Sequence, residues 1–297
     1  MELSLAMKAR IAAAMTVGVI LIGVLGWPAA NQLAPLEAVR AGNITPLGTL
    51  SLVILAFVTG SIGYFVAWPH GREIGILAVP TGLAVWAIRS GTVSNSVQLN
   101  PSLAQRQSLF AAMRWEGAFW IVIVAAGFAG VLFAQRMRNS TIPSTKKTKI
   151  NLNAVLSAAV AIIGTIFIAH FFIGRFAQDI KAYDPSLSFV MSQPPVAQIA
   201  FGVIASFIVA GFAVKAFLDM TYIWPAIATA LVTAFAVAVG LKEPVLSHIA
   251  EAWPAVFFPH SSLSVLPLQM VAFGTLGSIA GYWLAIRYGY WRKHEMN

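Results

Sequence analysis

A chain of 297 residues that is 59% hydrophobic and only 10% charged, with a mean hydropathy of +0.79, excludes an ordinary soluble domain. Zero cysteines exclude disulfides, thiolate nucleophiles, iron–sulfur clusters and cysteine-based zinc sites. The formal charge of +9 is not gathered on a soluble basic face with interleaved aromatics, so the expected partner is the lipid bilayer and not nucleic acid.

Eight apolar stretches of membrane-spanning length are predicted near 8–27, 46–68, 73–89, 114–135, 152–174, 196–218, 221–241 and 266–287. In the first, Lys8 and Arg10 precede an apolar run ending at Trp27, Pro28, Ala29 and Ala30, a pattern that secretory signals share. The run is long for a signal core and has a counterpart in the fifth stretch, which argues for a retained helix. The third stretch carries Pro80 in its middle and is short enough to be kinked or re-entrant.

After Pro101, the residues Leu103, Leu109, Phe110 and Met113 fall on one side of a predicted interfacial helix, with Asn100 as its cap. The fourth stretch then opens with Arg114 and Glu116, read as a boundary pair. Residues 139–150 form a basic linker containing Pro143, Lys146, Lys147 and Lys149.

His170 lies late in the fifth stretch and is the strongest intramembrane polar candidate, because an ionisable group there tends to face a cavity or a partner. It stands alone at that depth, so a bis-histidine haem site is not expected, nor is any other cofactor. Asp179 and Asp184, with Arg175 and Lys181, read as a solvated loop. Lys215 closes the sixth stretch within snorkelling reach of water, and Pro225 marks the seventh as a second candidate helix break.

Beyond Pro244, the apolar side of Val245, Leu246, Ile249 and Trp253 predicts a second interfacial helix. His248, Glu251 and His260 are the one group there that resembles general-base chemistry; no metal is assigned to it, since sequence spacing cannot show that three ligands converge. Trp27, Trp86, Trp115, Trp120 and Trp253 read as an interfacial aromatic belt.

The second four stretches echo the first four. Ala129, Gly130, Ala134 and Arg136 repeat as Ala280, Gly281, Ala285 and Arg287, and Val53, Ile54 and Phe57 align with Val203, Ile204 and Phe207. Gly130, Gly277 and Gly281 mark close helix seams. The expected fold is therefore all-α, about eight transmembrane helices in a tandem 4+4 repeat with a parallel pseudo-two-fold axis and short interfacial helices on the outer face. Its parts are residues 1–138, the linker 139–150 and residues 151–297.

With both ends cytoplasmic, Lys8, Arg10, Arg72, Arg136, Arg138, Lys146, Lys147, Lys149, Lys215, Arg287, Arg292 and Lys293 lie inside, twelve of the 19 basic residues. Three functions fit these features. First is a transporter or channel-like permease for a neutral or lipid-like small molecule. Second is a non-catalytic structural or assembly subunit of a larger membrane complex, and third is an outer-face enzyme using His248, Glu251 and His260; the glycine seams also suit a homo-oligomer or a membrane-protein partner.

Overall fold

The computed structural model describes residues 4–30, 38–138, 152–185, 188–251 and 261–295. Among these, eight helices are long and apolar enough to cross a membrane: Leu5–Leu25, Pro46–Val66, Gly71–Arg89, Leu103–Arg138, Leu152–Phe176, Val196–Leu218, Ile223–Gly240 and Pro267–Lys293, hereafter spans one to eight. The chain is a multi-pass membrane protein. A two-stranded antiparallel hairpin, β1 (Ile180–Asp184) with β2 (Ser188–Ser192), joins spans five and six, with Ile180 opposite Ser192.

Local chemistry sets the helix starts. Pro46 occupies the first turn of span two, where its missing N–H is not needed, and the Thr45 hydroxyl accepts from the Gly48 amide at 3.0 Å. At residues 102–105 a reciprocal capping box forms. The Ser102 amide donates to Gln105 Oε1 at 3.1 Å, and the Gln105 amide donates to Ser102 Oγ at 3.2 Å.

That box corrects two expectations. No proline or glycine interrupts the chain between Ser102 and Gly117, so the expected interfacial helix is the continuous beginning of span four, which runs for 36 residues. Asn100 is not its cap. The Asn100 side-chain Nδ2 donates to the Ser96 carbonyl at 2.8 Å, and the Asn100 backbone carbonyl accepts from Arg106 Nε at 3.0 Å.

Span three is broken as well as short. An α turn, Gly71–Ile74, passes through a tight 3-10 segment, Gly75–Leu77, into the helix Ala78–Arg89. Gly75 is required there: a Cβ would stand 2.8 Å from the Tyr64 amide nitrogen. The break places Pro80 in the first turn of the second piece, where its ring costs no hydrogen bond. Pro225 likewise lies in the first turn of span seven and opens that helix instead of breaking it.

Eight successive crossings put residues 67–70 and 219–222 at the end of the bundle that holds the first and last helices' outer tips, here the near end. The longer connections gather at the far end. Tyr64, Ile76, Leu77, Val131, Ala134 and Ile279 pack together toward the near end, and Val93, Val97, Leu109, Phe110, Met113, Leu246, Leu263 and Leu266 toward the far end. Between them lies the main core, around Trp86, Trp120, Phe207, Leu268 and Val271.

Spans three and eight are the innermost, with 78% and 67% of their apolar windows buried, against 22% and 28% for spans one and five. They are also the two least apolar spans. A helix enclosed by protein can carry Thr81, Gln269, Thr275 and Ser278, whereas a helix facing lipid must be apolar.

Two seams hold the bundle together. Span two packs on span four, where a Cβ at Gly130 would collide with the Phe57 carbonyl and stand 3.1 Å from the Ser61 amide. A Cβ at Gly60 would strike Gly127 in the same seam. Span six packs on span eight, where a Cβ at Gly281 would collide with the Ile208 carbonyl and stand 2.8 Å from the Phe212 amide, and one at Gly211 would lie 2.6 Å from the Ser278 carbonyl. Such glycines let backbones approach closely where lipid supplies no hydrophobic drive for association.

Candidate functional site

His170 sits on span five, six residues before that helix ends at Phe176. Its half-buried ring meets Phe235 of span seven edge-on, with centroids 5.9 Å apart and an interplanar angle of 87°. His170 and Phe235 line a cavity of about 240 Å³ together with Ala236, Val239, Lys242 and Ser262. Spans five and seven and the 3-10 turn Ser261–Ser264 therefore build this site jointly.

Two of its polar groups lack a hydrogen-bond partner. Ser262 is 4% exposed, yet its hydroxyl has no hydrogen-bond partner, and His170 Nδ1 is buried and unpartnered as well. The buried hydroxyls of Thr165 and Ser206 return to their own helix, to Ala161 at 2.7 Å and to Gly202 at 2.5 Å, whereas those of Thr81 and Thr275 in spans three and eight also lack a partner but do not line this cavity. A buried unpaired polar group costs about 1–3 kcal/mol, so two beside one cavity make it the candidate site. Lys242, exposed at the same wall, makes no ion pair with a described residue.

Glu116, a boundary residue beside Arg114 in the sequence reading, is buried in the fold. It is 4% exposed and pairs with Arg40, whose Nε donates to Glu116 Oε1 at 3.2 Å, and it also accepts from the Ala41 amide. Arg40 comes from the connection between spans one and two, 76 positions earlier. The pair ties that connection to span four, and its place is structural.

Lys215 ends at the near side, bonded to Asp219 one turn later and 5.4 Å from the centre of the Tyr282 ring. Asp219 adopts the left-handed conformation, φ 51°, as it terminates span six. The hydrogen bond and charge of Lys215 hold the Asp219 carboxyl below its ordinary range. Nearby, burial pushes the Tyr222 phenol up to about 12, with the Arg72 charge opposing the shift.

The aromatic belt is only partly a belt. Trp115 is 71% exposed, but Trp86 and Trp120 are fully buried and meet edge-on with centroids 6.1 Å apart. Trp86 Nε1 donates to the Ile22 carbonyl at 2.7 Å, and its ring packs on Trp27. These two are core residues, for their indoles fill space between spans one, three and four. Trp253 lies outside the described residues.

Of the possible enzyme group, His248 and Glu251 lie on the short far-end helix Glu243–Glu251, where Glu251 is exposed; the His248 side chain and all of His260 lie outside the described residues. Among the described residues no three His, Asp or Glu side chains gather as a metal would need. Sequence reading found His170 but missed Ser262 and Lys242 as its companions. Compared with known proteins, the chain matches no family model, no curated protein and no solved structure.

Proposed function

We propose that this membrane protein is a permease for a lipid-like small molecule, built as a tandem duplicate of four spans and taking its substrate at the cavity beside His170. The cavity is the observation that carries the reading: an apolar recess with two buried polar groups lacking partners is a binding site in waiting. Phe235, 51% exposed, forms part of its wall, which gives the recess a side facing the lipid.

The duplication is supported by contact register. Phe57 and Ser61 meet Gly130, and Ile208 and Phe212 meet Gly281, each 151 positions after its counterpart; Gly60 with Gly127 and Gly211 with Ser278 keep the same interval. The sequence alignment of Phe57 with Phe207 is thus one residue out of step with the packing. Contacts between the halves are reciprocal too, with span four on span seven and span eight on span three. Repeats of four spans insert the same way up, so residues 1–138 and 151–297 would be related by an axis along the membrane normal, with the linker 139–150 and both termini cytoplasmic.

The test is reconstitution into liposomes containing a fluorescent lipid analogue, followed by quenching from outside. Quenching beyond the outer-leaflet half, faster than in protein-free vesicles and slowed in Ser262→Ala, is expected. Identical quenching with and without protein would overturn the permease reading. It would leave the subunit reading, which the solid packing of Trp86, Trp120, Leu268 and Val271 between the innermost spans favours. Stoichiometric protein partners in native mass spectrometry would then be expected. The enzyme reading on His248, Glu251 and His260 turns on the two histidine side chains, which lie outside the described residues.

A further inference from the structure

We infer that the cavity beside His170 selects an anionic amphiphile, a molecule with a carboxylate or phosphate head and an apolar tail. This deepens the lipid-like reading of the same site but stands on binding alone. The polar inventory points to an acidic head. Lys242 supplies an ammonium group without an ion-pair partner among the described residues, the Ser262 hydroxyl can donate, and an imidazole N–H on His170 can donate too. No described carboxylate lines the cavity to repel such a head.

Size points to a head with little of its tail. At about 240 Å³ the recess falls short of the roughly 300–1,000 Å³ of sites that enclose a drug-sized ligand. The tail must run outside, and the adjoining surface is suited to it. Phe167, one helical turn before His170 on the same face of span five, is 72% exposed, and Phe235 opens the wall toward it. A lipid can thus seat its head between spans five and seven while its chain stays in the bilayer.

The test uses the full-length protein, delipidated in a neutral maltoside detergent and offered oleate, dioleoylphosphatidylglycerol or dioleoylphosphatidylcholine, with retention read by native mass spectrometry. About tenfold higher retention of an anionic amphiphile than of the zwitterionic lipid is expected. Retention of oleate alone identifies a free acid, and retention of phosphatidylglycerol identifies a lipid headgroup. Lys242→Gln, at an exposed position, should erase the preference, and Ser262→Ala should cut anionic retention several-fold with an unchanged melting profile. Equal retention of the two phospholipids and of oleate, or a preference that survives both substitutions, overturns the inference. Selective binding without movement of lipid in liposomes sinks the permease reading and leaves this one standing.

Discussion

Gly281→Ala probes the seam between spans six and eight directly. The added carbon would stand 2.8 Å from the Phe212 amide nitrogen and closer still to the Ile208 carbonyl, where ordinary contact begins near 3.4 Å, so the helices must part by at least about 0.6 Å. Neither obstacle is a flexible side-chain tip; both are backbone held in a helix. Overpacking of this kind costs about 1–3 kcal/mol, and a loss of about 2 kcal/mol lowers the folded-to-unfolded ratio about thirty-fold. Gly164 gives the control, since it lies inside span five with open space around it, and alanine there should stabilise by about 0.5–1 kcal/mol. Reversible denaturation in mixed micelles, followed by circular dichroism, measures both. Gly130→Ala should match Gly281→Ala within about 0.5 kcal/mol, because the two seams share one geometry. A Gly281→Ala protein as stable as Gly164→Ala would refute the reasoning.

Arg40→Ala leaves the Glu116 carboxylate buried without its cation and should destabilise by about 3 kcal/mol in the same assay, while Glu116→Gln, which keeps a polar partner for Arg40, should cost less. Because the folded Asp219 carboxyl lies below its ordinary range, its contribution is complete above the ordinary carboxylate value near 4 and is lost as pH falls through the depressed folded value. Lys215→Met should therefore raise the acid titration midpoint of Asp219, read by NMR of a labelled aspartate; an unmoved midpoint would show that the pair does not form. For orientation, cysteine at the exposed position Lys242 should react with an impermeant thiol reagent on intact cells, and cysteine at the exposed position His70 should react only after the membrane is opened. The reverse pattern would invert the proposed topology.

All eight spans were legible as apolar stretches, because any helix that touches lipid must be apolar over about 20 residues. Which spans lie inside was harder to read, since lipid and protein interior select the same side chains. The reduced hydropathy of spans three and eight, with Thr81 and Gln269 fully enclosed or nearly so, was the available signal. Trp86 and Trp120 misled for the same reason, as an indole suits an interface and a core alike. Glu116 was visible and its partner was not, because Arg40 comes from a connection whose course depends on tertiary packing. The same holds for His170 and Ser262, which lie far apart in the chain and meet only when span eight's leading turn folds back across spans five and seven. The one-residue slip between Phe57 aligned with Phe207 and Phe57 packed like Ile208 has another cause. Identity rewards the side chain, whereas the seam is set by which backbone lies opposite a glycine.

Span four has a consequence for the height of everything at the far end. A helix of 36 residues is about 54 Å long, whereas the hydrocarbon layer is about 30 Å thick. The surplus acts as a mast. Arg106, 1% exposed and bonded to the Asn100 backbone carbonyl, lies in the first turn of that helix at the far end, and the helix Glu243–Glu251 packs against span four. Since an α-helix does not compress, the mast fixes how far the far-end elements stand from the near end, and with it the distance between the recess beside Ser262 and the turn at residues 219–222.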